Sequence, residues 1–359
     1  MSGFASEDSV CNISMNQSYE EVQTPPLVRT CTKPAPYQIG QTCVPTSVGN
    51  VVMHNICTAL GYTASGCLLL DQFVFEMILE KYPDCVSSGV PTQDAINYVL
   101  DNINNYIQKG DLLIPMKAVE TLNNTAVLLE EIKQKIERIN LITFRLGKCV
   151  KEGNKAFDGL QQLIKMDVYG VIIVRGYGEN TFKQLISGML EGFFPAPSFA
   201  VFNGNDPITI FQNPEDNQGM INSFMSDYLS QDIVKTTFSQ IVNENMKSPN
   251  AGRTTWGHAM VLKSVFTYNN EGYALIKNSF GEEYGLYDEG VKGLNGHIIL
   301  PLDIFPVYTI FMCEPVLKRS EKERDRSGGK KTRRRPRKTM RKRRPNKKTR
   351  VIRKKGTRK

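Results

Sequence analysis

The sequence predicts an α+β fold, with helices gathered in the first half and strands in the second. Two observations carry this. Apolar residues recur at helical spacing in several segments between residues 44 and 166, and beyond residue 253 the pattern turns to short β-type runs. The two patterns follow one another instead of alternating, so a βαβ arrangement is not expected.

Residues 1–35 are polar and broken by Thr24-Pro25-Pro26 and Lys33-Pro34-Ala35-Pro36. They read as an extension, with ordered structure beginning near Tyr37. Val48, Val51, Val52, Ile56 and Leu60 predict a helix over 44–60, and Pro45 suits its first turn, where a missing N–H costs little. Further helices are predicted over 69–81, over 92–100 with Thr92 as cap after Gly89-Val90-Pro91, over 125–138, and over 157–166. Gly170-Val171-Ile172-Ile173-Val174 reads as a buried strand. Residues 176–252 scatter Pro, Asn and Gly among short apolar runs and yield no clear element. Strands are then predicted over 258–268, 272–278, 296–300 and 307–313.

At 359 residues and 40% hydrophobic content, the chain can bury one large core or two modest ones. Its net charge of +9 hides an asymmetry. Residues 318–359 hold 24 of the 45 Lys and Arg beside three acids, leaving 21 basic residues against 33 acidic ones elsewhere. An acidic body of −12 therefore carries a tail of +21. Runs such as Arg333-Arg334-Arg335-Pro336-Arg337-Lys338 cannot bury a core, so the tail is expected to be disordered when free. It suits nucleic acid or another polyanion, because each neutralised phosphate releases counterions. A solvated extension and nuclear targeting are the other readings. No aromatic follows Phe311, so base stacking is not expected.

The segment Met1 to Asp8 lacks the apolar core of a signal peptide, and no uncharged run is long enough to span a bilayer. The eight cysteines (11, 31, 43, 57, 67, 85, 149 and 313) form no C-x-x-C pair. An intracellular setting, cytoplasm or nucleus, with mostly reduced thiols is expected, though a disulfide between two of them stays open. No metal or cofactor is expected. Asp206, Asp216, Asp227 and Asp232 lack calcium-loop spacing, and Gly176-Tyr177-Gly178-Glu179-Asn180 lacks the Lys and third glycine of a phosphate loop and reads as a plain turn.

The chemistry-bearing residues are His258, in Gly257-His258-Ala259-Met260-Val261-Leu262, and Asn278, in Lys277-Asn278-Ser279-Phe280-Gly281. A thiol nucleophile needs a base, and the base needs a polar partner to hold its ring. A hairpin places a His on one strand and an Asn at the end of the next. The thiol they would serve is Cys43, in Gln38-Ile39-Gly40-Gln41-Thr42-Cys43, at a predicted helix N-terminus whose partial positive charge favours a thiolate. Cys43 taken alone also fits an ordinary buried thiol. His54 and His297 read as structural or surface residues.

Lys277-Asn278-Ser279-Phe280-Gly281 followed by Tyr284-Gly285 resembles the K-N-S-W-G-x-x-W-G stretch of papain-like cysteine peptidases, and the segment 257–262 resembles the family's histidine strand. Gly296-His297-Ile298-Ile299-Leu300 is similar to the strand that follows, and Gly89-Val90-Pro91 to the family's G-x-P before its next helix. The resemblance spans Gln38 to about Met312. It implies a two-lobe fold, a helical left lobe and a β-barrel-like right lobe, with the active site in the cleft between them. It implies Cys43 as nucleophile, His258 as general base and then acid, Asn278 as the residue orienting the imidazole, and Phe280 as the shield of that hydrogen bond. The oxyanion would be met by the Cys43 N–H and a Gln side chain. Gln38 lies five residues before Cys43, where the family usually shows six, and Gln41 only two before. Gly40 stands where the family has a disulfide cysteine. The Cys43-Val44-Pro45-Thr46-Ser47 run looks more like bacteriocin-processing peptidases, related in fold, which usually pair His with Asp.

The expected organisation is an extension over 1–35, a peptidase domain over 36–317 with insertions near 101–155 and 188–252, and a basic tail over 318–359. The expected function is a cysteine endopeptidase with protein or peptide substrates, a polyanion partner for the tail, and no membrane. The alternatives are a catalytically inactive papain-like module that binds nucleic acid or scaffolds an assembly, and a papain-fold acyltransferase. The combination also resembles peptidases encoded by large DNA viruses, which implies an association with virions.

Overall fold

The computed structural model of the protein describes residues 12–15, 37–61, 64–146, 154–175, 194–195, 210–211, 214–232, 234–236, 238–239, 257–281, 291–292, 296–302 and 308–319. The chain divides into two units, Met1–Lys318 and Arg319–Lys359, and every described element lies in the first. In chain order these are β1 (Asn12–Met15), α1 (Cys43–Leu60), α2 (Ala64–Lys81), α3 (Cys85–Ser88), α4 (Thr92–Lys109), a 3₁₀ turn (Met116–Ala118), α5 (Val119–Lys135), β2 (Ile136–Leu146), α6 (Lys155–Lys165), β3 (Gly170–Arg175), β4 (Phe194–Pro195), α7 (Gln218–Ser230), β5 (Gly257–Tyr268), β6 (Glu271–Lys277), β7 (Val291–Lys292), β8 (His297–Pro301) and β9 (Tyr308–Leu317). The fold is α+β. Among the described residues no helix is long and apolar enough to cross a membrane.

Seven strands form one antiparallel sheet in the order β1-β2-β9-β3-β5-β6-β8, while β4 and β7 pair separately. The large sheet is open, with β1 and β8 at its edges, where the resemblance implied a barrel-like lobe. Strand alternation gives it two apolar faces. Val171 and Ile173 of β3, Ala259 and Val261 of β5, and Phe311 and Cys313 of β9 join the core formed with α1, α2, α4 and α5. Their neighbours Ile172, Val174, Met260, Leu262, Ile310 and Met312 join a second core with α6. A third core packs Phe224, Met225 and Tyr228 of α7 on Phe266, Tyr273, Leu275 and Ile299. Each fully buried aliphatic or aromatic side chain is worth roughly 1.5–3 kcal/mol over exposure. Strands β3 and β5, covered on both sides, are therefore the best-anchored part of the molecule.

The β5–β6 hairpin closes through Asn269 (φ 51°) and Asn270 (φ 63°), both left-handed, between the paired Tyr268 and Glu271. A two-residue hairpin loop of this hand needs positive φ twice, and Asn tolerates it. A bulge between Leu262 and Ser264 shifts the register of β5. Beyond it Val265 stays with the α6 core, while Phe266 turns to the α7 core.

Several boundaries differ from the sequence expectation. Leu128, Leu129, Ile132, Ile136 and Ile139 continue a helical spacing, yet α5 stops at Lys135 and Ile136 opens β2. In β2 the strand period takes over, with Ile139 and Leu141 on one face and Ile142, Phe144 and Leu146 on the other. The region near 101–155, expected as an insertion, thus supplies the end of α4, all of α5 and an interior strand. The expected extension contributes β1, whose residues pair with Met15 opposite Ile142 and Asn12 opposite Arg145. Helix α4 runs on to Lys109, stopped by Gly110 in the left-handed region, and Pro91 rather than Thr92 holds its cap position, without a side-chain cap. The expected turn over 176–180 and nearly all of the basic tail lie outside the described residues.

Candidate active site

Cys43 is the first residue of α1, and the turn leading into it is fixed by Thr42. The Thr42 hydroxyl donates to Ile39 O (2.7 Å) and accepts from Ile39 N–H (3.0 Å). Gly40 sits at φ +59°, and a Cβ there would meet Val86 O at 2.5 Å, so the position suits glycine on both counts. The adjacent Gln41 N–H donates to that same oxygen (2.9 Å). The close approach explains why a cysteine does not stand at Gly40.

Cys43 is buried, 8% exposed, and the backbone N–H groups of Ala259, Val44 and Cys43 itself favour its thiolate. Burial pushes the thiol pKa up, and it outweighs these three donors, which favour the thiolate. The helix N-terminus by itself therefore does not deliver the low thiol pKa that the sequence position implied.

His258, one residue before Ala259 on β5, is 2% exposed. Its Nε2 lies 2.9 Å from Asn278 Oδ1. The same oxygen accepts from the Ser279 N–H (2.8 Å), which fixes the orientation of the Asn278 amide. Since Oδ1 only accepts, Nε2 carries the proton of the neutral ring, and Nδ1 is left as the nitrogen able to take one. Phe280 stacks on the imidazole, with centroids 5.1 Å apart and planes at 27°, and covers the hydrogen bond from one side. Asn278 is fully buried and is held in turn by its own N–H to Gly296 O (3.0 Å).

Gln38 joins the two halves of the site. Its backbone N–H donates to Ser279 O (2.8 Å), and Tyr37 forms an antiparallel bridge with Phe280. Its side-chain oxygen accepts from the Ser279 hydroxyl, and its Nε2 donates one hydrogen to Gly40 O (2.8 Å). The structure thus brings Gln38 to the segment carrying Asn278, while the Gln41 backbone is engaged with Val86. The structure joins His258 to Asn278 directly and Gln38 to Asn278 through Ser279.

Sequence reasoning missed the polar face of α1. Ser47 donates to Ala259 O (3.0 Å). Asn55 donates to Tyr169 O (2.9 Å) and Cys313 O (2.7 Å) and accepts from Tyr169 N–H (2.7 Å). Asn50 accepts from Lys277 Nζ (3.1 Å). His54 stacks on Tyr169, with ring centroids at 3.6 Å, and approaches Asp167 at 3.6 Å. Burial holds the His54 pKa down, against the pull of Asp167 and assisted by Lys263 and Lys277, so the ring is neutral. The signal was present in the sequence: Ser47, Asn50, His54, Asn55 and Thr58 recur at helical spacing on a helix otherwise rich in Val. Not every thiol is reduced. Cys57 in α1 is disulfide-bonded, whereas Cys43, Cys85 and Cys313 are free.

No protein-family model matches the chain, and no curated protein matches it.

Proposed function

We propose that the protein is a papain-like cysteine endopeptidase, with the helical core as one lobe, the sheet as the other, and Cys43, His258, Asn278 and Gln38 as its site. The observation that carries this reading is the His258–Asn278 hydrogen bond under Phe280, which leaves Nδ1 as the basic nitrogen, with Ala259, the next residue on the same strand, tied by Ser47 to the first turn of the helix that Cys43 opens. Transfer of the thiol proton to His258 Nδ1 creates an imidazolium, and that cation offsets the burial which otherwise raises the thiol pKa. The thiolate attacks the scissile carbonyl. The developing oxyanion is met by the Cys43 N–H, unpaired within α1 because it lies at the helix start, and by the second amide hydrogen of Gln38. His258 gives its proton to the leaving amine, a thioester remains on Cys43, and water deprotonated by His258 hydrolyses it. Asn278 holds the ring through both half-reactions.

An irreversible epoxide inhibitor that reacts with activated thiols tests this. Labelling confined to Cys43 at neutral pH, lost in His258→Ala, supports the peptidase. Labelling of Cys85 or Cys313 with Cys43 left untouched sinks it in favour of a catalytically inactive module, the reading that the burial of Cys43 favours.

The basic segment 318–359 is, in the same proposal, a sequence-tolerant contact to nucleic acid or another polyanion inside a cell or virion. Deleting it is expected to abolish salt-sensitive retention on DNA and to leave cleavage of a free peptide unchanged. Retention that survives the deletion overturns the assignment.

A further inference from the structure

We propose that Ser47 is a positioning residue of this site, setting the separation between the Cys43 sulfur and the His258 ring through the Ala259 peptide. The proposal rests on the peptidase reading. In an antiparallel sheet the N–H and C=O of one residue point to the same side of the strand. Strand β5 has β3 on one side, with Ile173 opposite Ala259, and β6 on the other. But β6 ends at Lys277, opposite Val261, so Ala259 lies two residues beyond the last β6 partner. Val261 and Ala259 share a parity, and the side that β6 occupies at Val261 is vacated at Ala259.

The first turn of α1 takes the place of the missing strand. The Ser47 hydroxyl donates to the Ala259 O at 3.0 Å, and the Ala259 N–H is among the backbone groups that favour the Cys43 thiolate. Cys43 and Ser47 are four residues apart and so lie on one face of the helix. The residue next to His258 is therefore tied through its own carbonyl to the helix that carries the nucleophile. Ser47 and Ala259 are each 1% exposed, so water does not compete for the carbonyl. Asn55 fixes the far half of α1 to Tyr169 and Cys313, which leaves Ser47 as the side-chain bond that registers the nucleophile end against β5.

The test compares Ser47→Ala with Ser47→Thr in the full chain on a peptide substrate. In Ser47→Ala, kcat is expected to fall about 10- to 100-fold, as for a misplacement of order 1 Å, with KM within about twofold. The rate of Cys43 alkylation should fall in parallel, with the acid limb of its pH profile displaced. Ser47→Thr, which keeps the hydroxyl, is expected to recover most of both. Unchanged kcat and alkylation profile in a folded Ser47→Ala overturn the proposal. A fall that Thr does not recover, or one tracking lower thermal stability with an unmoved pH profile, also overturns it by making Ser47 merely structural. If Ser47→Ala cannot be purified folded, Ser47→Cys, a weaker donor of similar size, is expected to turn over at an intermediate rate, and wild-type turnover in it overturns the proposal. A wild-type protein with neither cleavage nor Cys43 labelling refutes the peptidase reading itself, a result distinct from each of these.

Discussion

Replacing Asn278 by Ala removes an oxygen that two buried donors share, His258 Nε2 at 2.9 Å and the Ser279 N–H at 2.8 Å. The two losses act on different quantities. In the proposed mechanism the bond to His258 faces a ring that becomes cationic, and a hydrogen bond to a charged group is worth roughly 1.5–3 kcal/mol. At 1.36 kcal/mol per tenfold in rate, this predicts a fall in kcat of about 10- to 150-fold. The Phe280 stack at 5.1 Å survives the substitution and keeps the ring partly aligned, so activity should be lowered and not abolished. The Ser279 N–H, in a residue 1% exposed, loses its partner at a cost of about 1–3 kcal/mol to the fold. Initial rates on a fluorogenic peptide, well below the unfolding transition found by circular dichroism, separate the two. A folded Asn278→Ala enzyme whose kcat stays within about threefold of wild type between about pH 5 and 8 would refute the orienting role.

Three further outcomes are expected. Gly40→Ala should destabilise the protein by about 1–3 kcal/mol in urea unfolding, because the new Cβ meets Val86 O at 2.5 Å on a backbone with φ +59°; an unshifted midpoint would contradict the close approach. Asn55→Ala forfeits its bonds to Tyr169 and Cys313 within the core and should cost about 2–4 kcal/mol by the same measurement, with a change under about 0.5 kcal/mol counting against the clamp. His54 is held below its ordinary pKa of 6.5, so the unfolded chain binds the extra proton first. Its contribution to stability is complete above about pH 6.5 and is lost as pH falls towards the depressed folded value, and His54→Gln should flatten that part of a stability–pH curve. An equal slope in wild type and variant would assign the acid sensitivity to other groups.

Local rules were enough for part of this architecture. The α1 stripe, the α6–β3 pair and the β5–β6 hairpin are legible because each is a run of apolar residues of one element type that ends at a signal, Gly61 for α1 and the Asn269-Asn270 turn for the hairpin. Strand β2 is not legible, because Ile132, Ile136 and Ile139 keep the helical beat of α5 across the junction and only pairing with β9 decides the matter. Strand β1 is too short to carry a period of its own. The open sheet likewise reflects strand order, which no local pattern encodes. In the site, His258 and Asn278 stand out because twenty residues and one hairpin relate them. Gln38 reaches its place through Ser279, 241 residues away, and Ser47 through Ala259, 212 residues away, so neither partner is readable from its neighbours.

The end of β9 has a mechanical meaning. Lys318 donates its backbone N–H to Lys135 O (2.8 Å) and its ammonium to Lys133 O (2.6 Å), so the chain is clipped to the last carbonyls of α5 at the first residue of the basic segment. Strand β9 lies inside the sheet between β2 and β3. Tension entering at Arg319 along the strand axis would load both ladders in shear, so their bonds would have to fail together instead of peeling one at a time. At the other end of this strand, roughly 30 Å away at 3.3 Å per residue, Tyr308 pairs with Val174, and Val174 pairs with His258. A body pulled by its basic segment would thus carry the force in an interior strand held by two ladders, with the His258 end of the sheet farthest from the point of loading.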